Sequence, residues 1–187
     1  MNSNIKKLLN ATDILASETD KLKFKGKVNH VYNPLIYAKA TYRDYILKYG
    51  TGKKKVLFLG MNPGPWGMAQ TGIPFGEISY AKDWLGIQGD ILQPEKSHPK
   101  RPIEGWDCPR SEVSGRRLWG LMEEKFETAA RFFKDHYVEN YCPLVFMEEG
   151  GKNLTPDKLP AEERDPLTRI CDTHLRKVIE IMEPEFL

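Results

Sequence analysis

The residues best suited to chemistry fall in one run, Gly60-Met61-Asn62-Pro63-Gly64-Pro65-Trp66-Gly67-Met68-Ala69-Gln70-Thr71-Gly72-Ile73-Pro74-Phe75-Gly76. Its glycines let a backbone approach a ligand closely, and Pro63, Pro65 and Pro74 fix its course. Asn62 adds a carboxamide and Phe75 an aromatic face, a set that suits a flat heteroaromatic ring. Two familiar nucleotide loops do not fit. Gly60, Gly64 and Gly67 are not spaced as G-x-G-x-x-G, and the prolines oppose an immediate helix start. Thr51-Gly52-Lys53-Lys54 lacks the earlier glycine and the following hydroxyl of a P-loop. Considered alone, Asn62 reads as a turn residue before Pro63, Phe75 as core, and Asn140 as a strand-end cap.

The elements that must carry this run follow from its flanks. Val56-Leu57-Phe58-Leu59 is continuously apolar, as expected of a central strand buried on both faces of a parallel sheet. A loop leaving the C-terminal end of such a strand opens into the ligand crevice of an α/β sheet. Tyr137 to Tyr141 is a second strand candidate, ended by Pro143. Ile5 to Leu22 has helical spacing with a possible break. The spacing of Tyr42, Tyr45, Ile46 and Tyr49 predicts one helix over 35–49. Ser111 can cap a helix reaching about Phe126, with Val113, Leu118, Leu121 and Met122 inward. The clearest stripe is Leu167, Ile170, Cys171, Leu175, Val178, Ile179 and Met182, ended by Pro184, after which Glu185-Phe186-Leu187 reads as the approach to another strand. Alternating helix and strand predicts an α/β fold, three-layer α/β/α around a largely parallel central sheet and incomplete at its C-terminus.

Composition narrows the function classes. The 187 residues suit one domain, here 28–187 behind an N-terminal helical segment 1–27. Lys plus Arg number 28 against 26 Asp plus Glu, so a net charge of +2 announces no nucleic-acid binding in bulk and any basic surface must be local. The dense cationic stretch is His98-Pro99-Lys100-Arg101-Pro102, followed by Arg110 and Arg116-Arg117. Three scattered cysteines, Cys108, Cys142 and Cys171, suggest neither a disulfide framework nor a metal knuckle and fit a reducing compartment. No stretch approaches the roughly 18 to 20 apolar residues of a membrane span, and the polar start lacks a secretory signal's apolar run.

Gly60 to Gly76 resembles, nearly residue for residue, the first active-site motif of the single-strand-selective monofunctional uracil-DNA glycosylases. Further likeness runs through Tyr32-Asn33-Pro34, Asp83-Trp84-Leu85-Gly86-Ile87, His98 to Pro102, Cys108-Pro109, Ser111 to Gly115, Asn140-Tyr141-Cys142-Pro143-Leu144 and Asn153-Leu154-Thr155-Pro156. It covers nearly all the chain beyond about residue 28. The resemblance implies an α/β/α repair enzyme, nuclear and monomeric. Such an enzyme hydrolyses the N-glycosidic bond of uracil, 5-hydroxymethyluracil or 5-formyluracil in single- and double-stranded DNA, without metal or organic cofactor. It implies Asn62 as the catalytic residue positioning water, Phe75 stacking on the flipped base, and Asn140 bonding its Watson-Crick edge. Backbone at Met61 would also touch the base, and Gly64 would leave room beside C5. Lys100, Arg101, Arg116 and Arg117 would contact phosphates, with His98 in the same loop.

Two departures stand beside the resemblance. The family's second motif, a His-Pro-Ser-Pro-Arg-Asn-Pro-like segment, has no counterpart before Leu187, so the resemblance implies a chain truncated ahead of it and, as an alternative, a catalytically impaired DNA-binding fragment. Trp66 stands where the family often has phenylalanine. Other chemistries fit worse. A zinc deaminase needs H-x-E and P-C-x-x-C ligands that are absent, and a glycosylase-lyase needs an amine that the loop does not offer.

Overall fold

The computed structural model describes residues 2–187. The chain forms α1 (Ser3–Asp20), β1 (His30–Tyr32), α2 (Pro34–Tyr37), α3 (Lys39–Tyr49), β2 (Val56–Gly60) and α4 (Met68–Thr71). After a long loop come α5 (Val113–Phe126), α6 (Ala129–Asp135), β3 (His136–Asn140), β4 (Val145–Met147), β5 (Asn153–Leu154) and α7 (Ala161–Met182). The fold is α/β, as the alternation implies, with a parallel sheet at its centre.

That sheet pairs β2 with β3 in parallel, in a register that sets Val56 opposite His136 and Gly60 opposite Asn140. On the other side of β2, Phe186 bridges Val56 in parallel, and the Leu57 N–H donates to the Phe186 carbonyl at 3.0 Å. The expected strand approach at Glu185 to Leu187 is therefore present as its first pairing. β2 is less enclosed than a strand buried on both faces. Leu57 is fully buried, whereas Val56 and Phe58 are half-buried and Leu59 is exposed.

A second, antiparallel sheet of order β1-β4-β5 was not legible in the sequence. Its strands of two or three residues are too short to show alternation. It closes over a satellite core of Cys142, Leu144, Phe146, Leu154, Leu167 and Cys171. All three cysteines are free and buried.

Several helices differ from expectation. α1 is unbroken, and it buries Ile5, Leu8, Leu9, Leu15 and Ala16 in the main core. The helix expected over 35–49 divides at Ala38, whose φ of −106° and ψ of 30° interrupt it between α2 and α3. α5 is capped by Glu112, not Ser111. The Glu112 carboxylate accepts from the Ser114 and Gly115 N–H groups, while the Ser111 hydroxyl donates to Glu77 at 2.9 Å. The inward face of α5 is Gly115, Trp119 and Met122, and the expected Val113 and Leu121 are exposed. α7 begins six residues before its stripe and carries Pro166 inside; Glu183 ends it in the left-handed region, one residue ahead of Pro184.

Candidate active site

The parallel register carries two asparagine-bearing segments out of the sheet together. Past Gly60 and Asn140 the strands stay tied, with the Tyr141 N–H donating to the Gly60 carbonyl at 2.8 Å and the Cys142 N–H to the Met61 carbonyl at 2.9 Å. Asn62 and Asn140 are thus held by one ladder at the C-terminal end of the sheet, where α/β folds place ligands.

Gly60 is the point on which the site closes. A Cβ built there would lie 2.7 Å from Phe75 Cε2 and would overlap Asn140 Oδ1. Only a residue without a side chain lets the phenyl ring and the carboxamide approach the same patch of backbone. Phe75 itself adopts φ +53°, a conformation uncommon for a bulky residue. Its carbonyl accepts from Trp119 Nε1 at 2.8 Å and from the Glu77 N–H at 2.7 Å. Gly115 backs directly onto that carbonyl, which explains why α5 turns its Gly115–Trp119 face inward.

The two carboxamides are oriented differently. Asn62 is half-buried, and its Nδ2 donates to the Pro63 and Leu144 carbonyls, both at 3.3 Å. Two carbonyl neighbours fix which end is nitrogen, so Oδ1 faces outward, with no donor among the described residues. A water can take that acceptor. Asn140 is 4% exposed, and its Nδ2 rests on Met68 Sδ at 3.2 Å, a weak acceptor that a ligand oxygen can outcompete. Gly64 has open space, since a Cβ there meets nothing within 4 Å. The Met61 side chain is exposed, and its carbonyl is already engaged.

Beneath Asn140 lies an acid that the sequence reading passed over. Glu139 is buried; its two carboxyl oxygens each lie 2.8 Å from the Tyr42 hydroxyl, and Oε1 accepts the Asn140 N–H at 3.1 Å. Burial raises its pKa to about 7, against the pull of those two donors. Its signal was a charged residue inside an otherwise apolar strand. Gln70, fully buried, was also missed. Its Nε2 donates to the Pro65 and Pro102 carbonyls and its Oε1 accepts from the Glu104 and Gly105 N–H groups, fastening the motif to the 102–105 segment.

The cationic residues divide. His98 is 1% exposed, with its N–H on the Tyr32 hydroxyl and its Nδ1 accepting from Lys100, so it shapes the loop and is not available to a phosphate. Lys100 is exposed, and Arg101 is half-buried with Nε on the Gly151 carbonyl. The Arg101 and Arg110 guanidiniums lie 5.0 and 5.6 Å from the Trp66 ring centre, a cation–π pairing between motif and basic loop. Arg116 and Arg117 are exposed on the first turns of α5. None of Lys100, Arg101, Arg110, Arg116 and Arg117 makes an ion pair among the described residues.

The paired strand ends thus bring the Asn140 carboxamide and the Phe75 ring to one glycine, with Asn62 held on the same ladder at the C-terminal end of an α/β sheet. The same fold is seen in the crystal structure of SMUG2 from Pedobacter heparinus, with a TM-score of 0.57 at 19% identity over 91% of this chain and 70% of that one. In sequence the chain is homologous to the single-strand selective monofunctional uracil DNA glycosylases. It is 48% identical to those of Mus musculus and Rattus norvegicus and 46% identical to that of Bos taurus, in each case over 168 residues and 90% of this chain. It spans 60% to 62% of the length of those relatives. No protein-family model matches the chain.

Proposed function

We propose that this protein hydrolyses the N-glycosidic bond of uracil and 5-substituted uracils in single- and double-stranded DNA, releasing the base and leaving an abasic site. It would act as a monomer on nuclear DNA. The observation that carries this reading is the convergence of Phe75 and Asn140 over Gly60, beside an Asn62 whose carboxamide oxygen is left open.

Base stacking, edge recognition, water placement and phosphate contact each have a residue. An extruded pyrimidine stacks on Phe75, and Asn140 offers a donor and an acceptor that match uracil O4 and N3–H but not the amine and bare nitrogen of cytosine. Gly64 leaves room for a 5-substituent. C1′ develops oxocarbenium character as the bond to the base breaks, and the attacking water then needs placement more than deprotonation, which Asn62 Oδ1 can give. Lys100, Arg101, Arg116 and Arg117 grip the phosphates without reading sequence. A base in single-stranded DNA enters at lower cost, because less stacking and pairing is lost.

A second reading, base binding without turnover, is favoured by one observation. The groups gathered over Gly60 are a phenyl ring and a carboxamide, and neither strongly stabilises negative charge on a departing base. Incubating the chain and its Asn62→Ala variant with uracil-containing single-stranded DNA, then counting abasic sites, separates the readings. Excision lost in Asn62→Ala supports hydrolysis. No excision by a folded chain that still binds the oligonucleotide supports the second reading.

A further inference from the structure

The free edge of β3 is closed by side chains in place of a strand. β3 pairs with β2 on one side, and no strand pairs with its other side among the described residues. Successive peptides of a strand point alternately to its two sides. The Tyr141 N–H faces β2, so the Asn140 N–H and the Val138 carbonyl face the open side, where a buried peptide group without a partner is costly. α3 supplies what is missing. The Tyr45 hydroxyl donates to the Val138 carbonyl at 2.9 Å, and the Tyr42 hydroxyl lies 2.8 Å from both carboxyl oxygens of Glu139. Glu139 Oε1 in turn accepts the Asn140 N–H at 3.1 Å.

Asn140 needs that support. It is the last residue of β3, and its carboxamide nitrogen rests only on the Met68 thioether, a weak acceptor, so the direction of the side chain is set from its backbone. We propose that Glu139 is a positioning residue of this site: its carboxyl, anchored by Tyr42, fixes the last peptide of β3 and so aims the Asn140 carboxamide at the edge of a bound base. The inference rests on the reading of Asn140 as the contact to that edge.

The surroundings of the carboxyl favour its neutral form. No cation pairs with Glu139 among the described residues. The titratable groups around it are Tyr42 and Tyr45 of α3 and Tyr137 of its own strand, all kept protonated by burial, and β2 sets the apolar Leu59 opposite. Burial accordingly raises the Glu139 pKa to about 7. A glutamine at this position keeps an uncharged acceptor for the Asn140 N–H, and an alanine keeps none.

The test compares the full chain with Glu139→Gln, Glu139→Ala and Tyr42→Phe. One arm measures binding of single-stranded oligonucleotides carrying 2′-fluorinated deoxyuridine or deoxycytidine, whose N-glycosidic bonds resist cleavage. The other follows the Asn140 amide proton by NMR across neutral pH. A matched pair of hydrogen bonds to a base edge is worth roughly 5- to 150-fold in discrimination, so Glu139→Ala should lower the preference for uracil at least about fivefold, while Glu139→Gln retains it. The Asn140 amide should titrate with a midpoint of about 7 in the parental chain and not at all in Glu139→Gln. In Tyr42→Phe the ionised acid loses its donor, and the midpoint should rise. A folded Glu139→Ala protein with undiminished preference, or a midpoint that Tyr42→Phe leaves in place, overturns the proposal; if Glu139→Ala does not fold, the midpoint decides. A parental chain that binds both oligonucleotides alike overturns instead the reading of Asn140, and the proposal with it, while the amide titration still reports whether Glu139 holds that peptide.

Discussion

Gly60→Ala tests whether the site is assembled as described. The added methyl would stand 2.7 Å from Phe75 Cε2 and 2.8 Å from Cζ, besides overlapping Asn140 Oδ1. Carbon atoms rest at about 3.5 to 4.0 Å, so the ring must retreat by roughly 1 Å. It cannot do so freely. Trp119 Nε1 pins the Phe75 carbonyl and β3 pins Asn140. Overpacking of this kind costs about 1 to 3 kcal/mol, reduced by the roughly 0.5 to 1 kcal/mol that alanine gains over glycine in a strand. The melting temperature should therefore fall by only a few degrees, at about 2 to 4 °C per kcal/mol for a chain of this length. A displacement near 1 Å in a positioning group costs on the order of 100-fold in rate, so excision should suffer far more than stability. Single-turnover release of uracil from a single-stranded oligonucleotide, beside calorimetric melting, measures both. A Gly60→Ala protein that excises at the parental rate would show that Phe75 and Asn140 do not form the base pocket.

Four further outcomes follow from named contacts. Asn62→Ala should lower excision by about 100-fold or more while melting changes little, because Asn62 is half-buried and its two lost bonds are long, at 3.3 Å; a parallel drop in both would assign Asn62 to folding. Gly64→Ala should leave melting unchanged, since the new methyl meets no protein atom, yet on the proposed function it should reduce excision of 5-hydroxymethyluracil relative to uracil, measured in competition. Glu139 has a folded pKa of about 7, above its ordinary 4.5, so the folded state loses stability as pH rises between those values, by on the order of 3 kcal/mol if fully expressed. Glu139→Gln should flatten that decline in denaturant midpoints from pH 4.5 to 8. Gln70→Ala strands two carbonyls and two N–H groups at once and should cost about 3 kcal/mol or more in chemical denaturation; a loss below about 1 kcal/mol would mean that water replaces them.

The parts of this structure legible in sequence were those with long, uninterrupted physical signals. The apolar run at Val56, the stripe from Leu167 and the Gly60 to Gly76 run each state their element without help from distant residues. The failures have separate causes. On α5, period counting put Val113 and Leu121 inward with Leu118 and Met122, and only the last two pack against the core. The inward face is instead set by what Phe75 needs, a hydrogen bond from Trp119 and the absence of a side chain at Gly115. Ser111 is a good capping type, but Glu77 takes its hydroxyl and Glu112 caps in its place. The short strands β1, β4 and β5 exist only because they pair with one another, which no local window shows. Asn62, Phe75 and Asn140 were singled out by family resemblance. The convergence over Gly60, and the supports from Glu139, Trp119 and Gln70, depend on the register of two strands and became visible only in three dimensions.

The four hydrogen bonds of Gln70, with the stacking of Arg101 and Arg110 on Trp66, join the base pocket and the basic loop into one stiff body. On the proposed function, a reader built this way would inspect DNA passively. It would hold a ready-made slot against a backbone whose own breathing presents the base. Its speed of inspection would then be set by the substrate's opening dynamics. Uracil in a weak pair should be found faster than uracil in a strong one in proportion to their opening equilibria, and rates insensitive to pairing strength would contradict this.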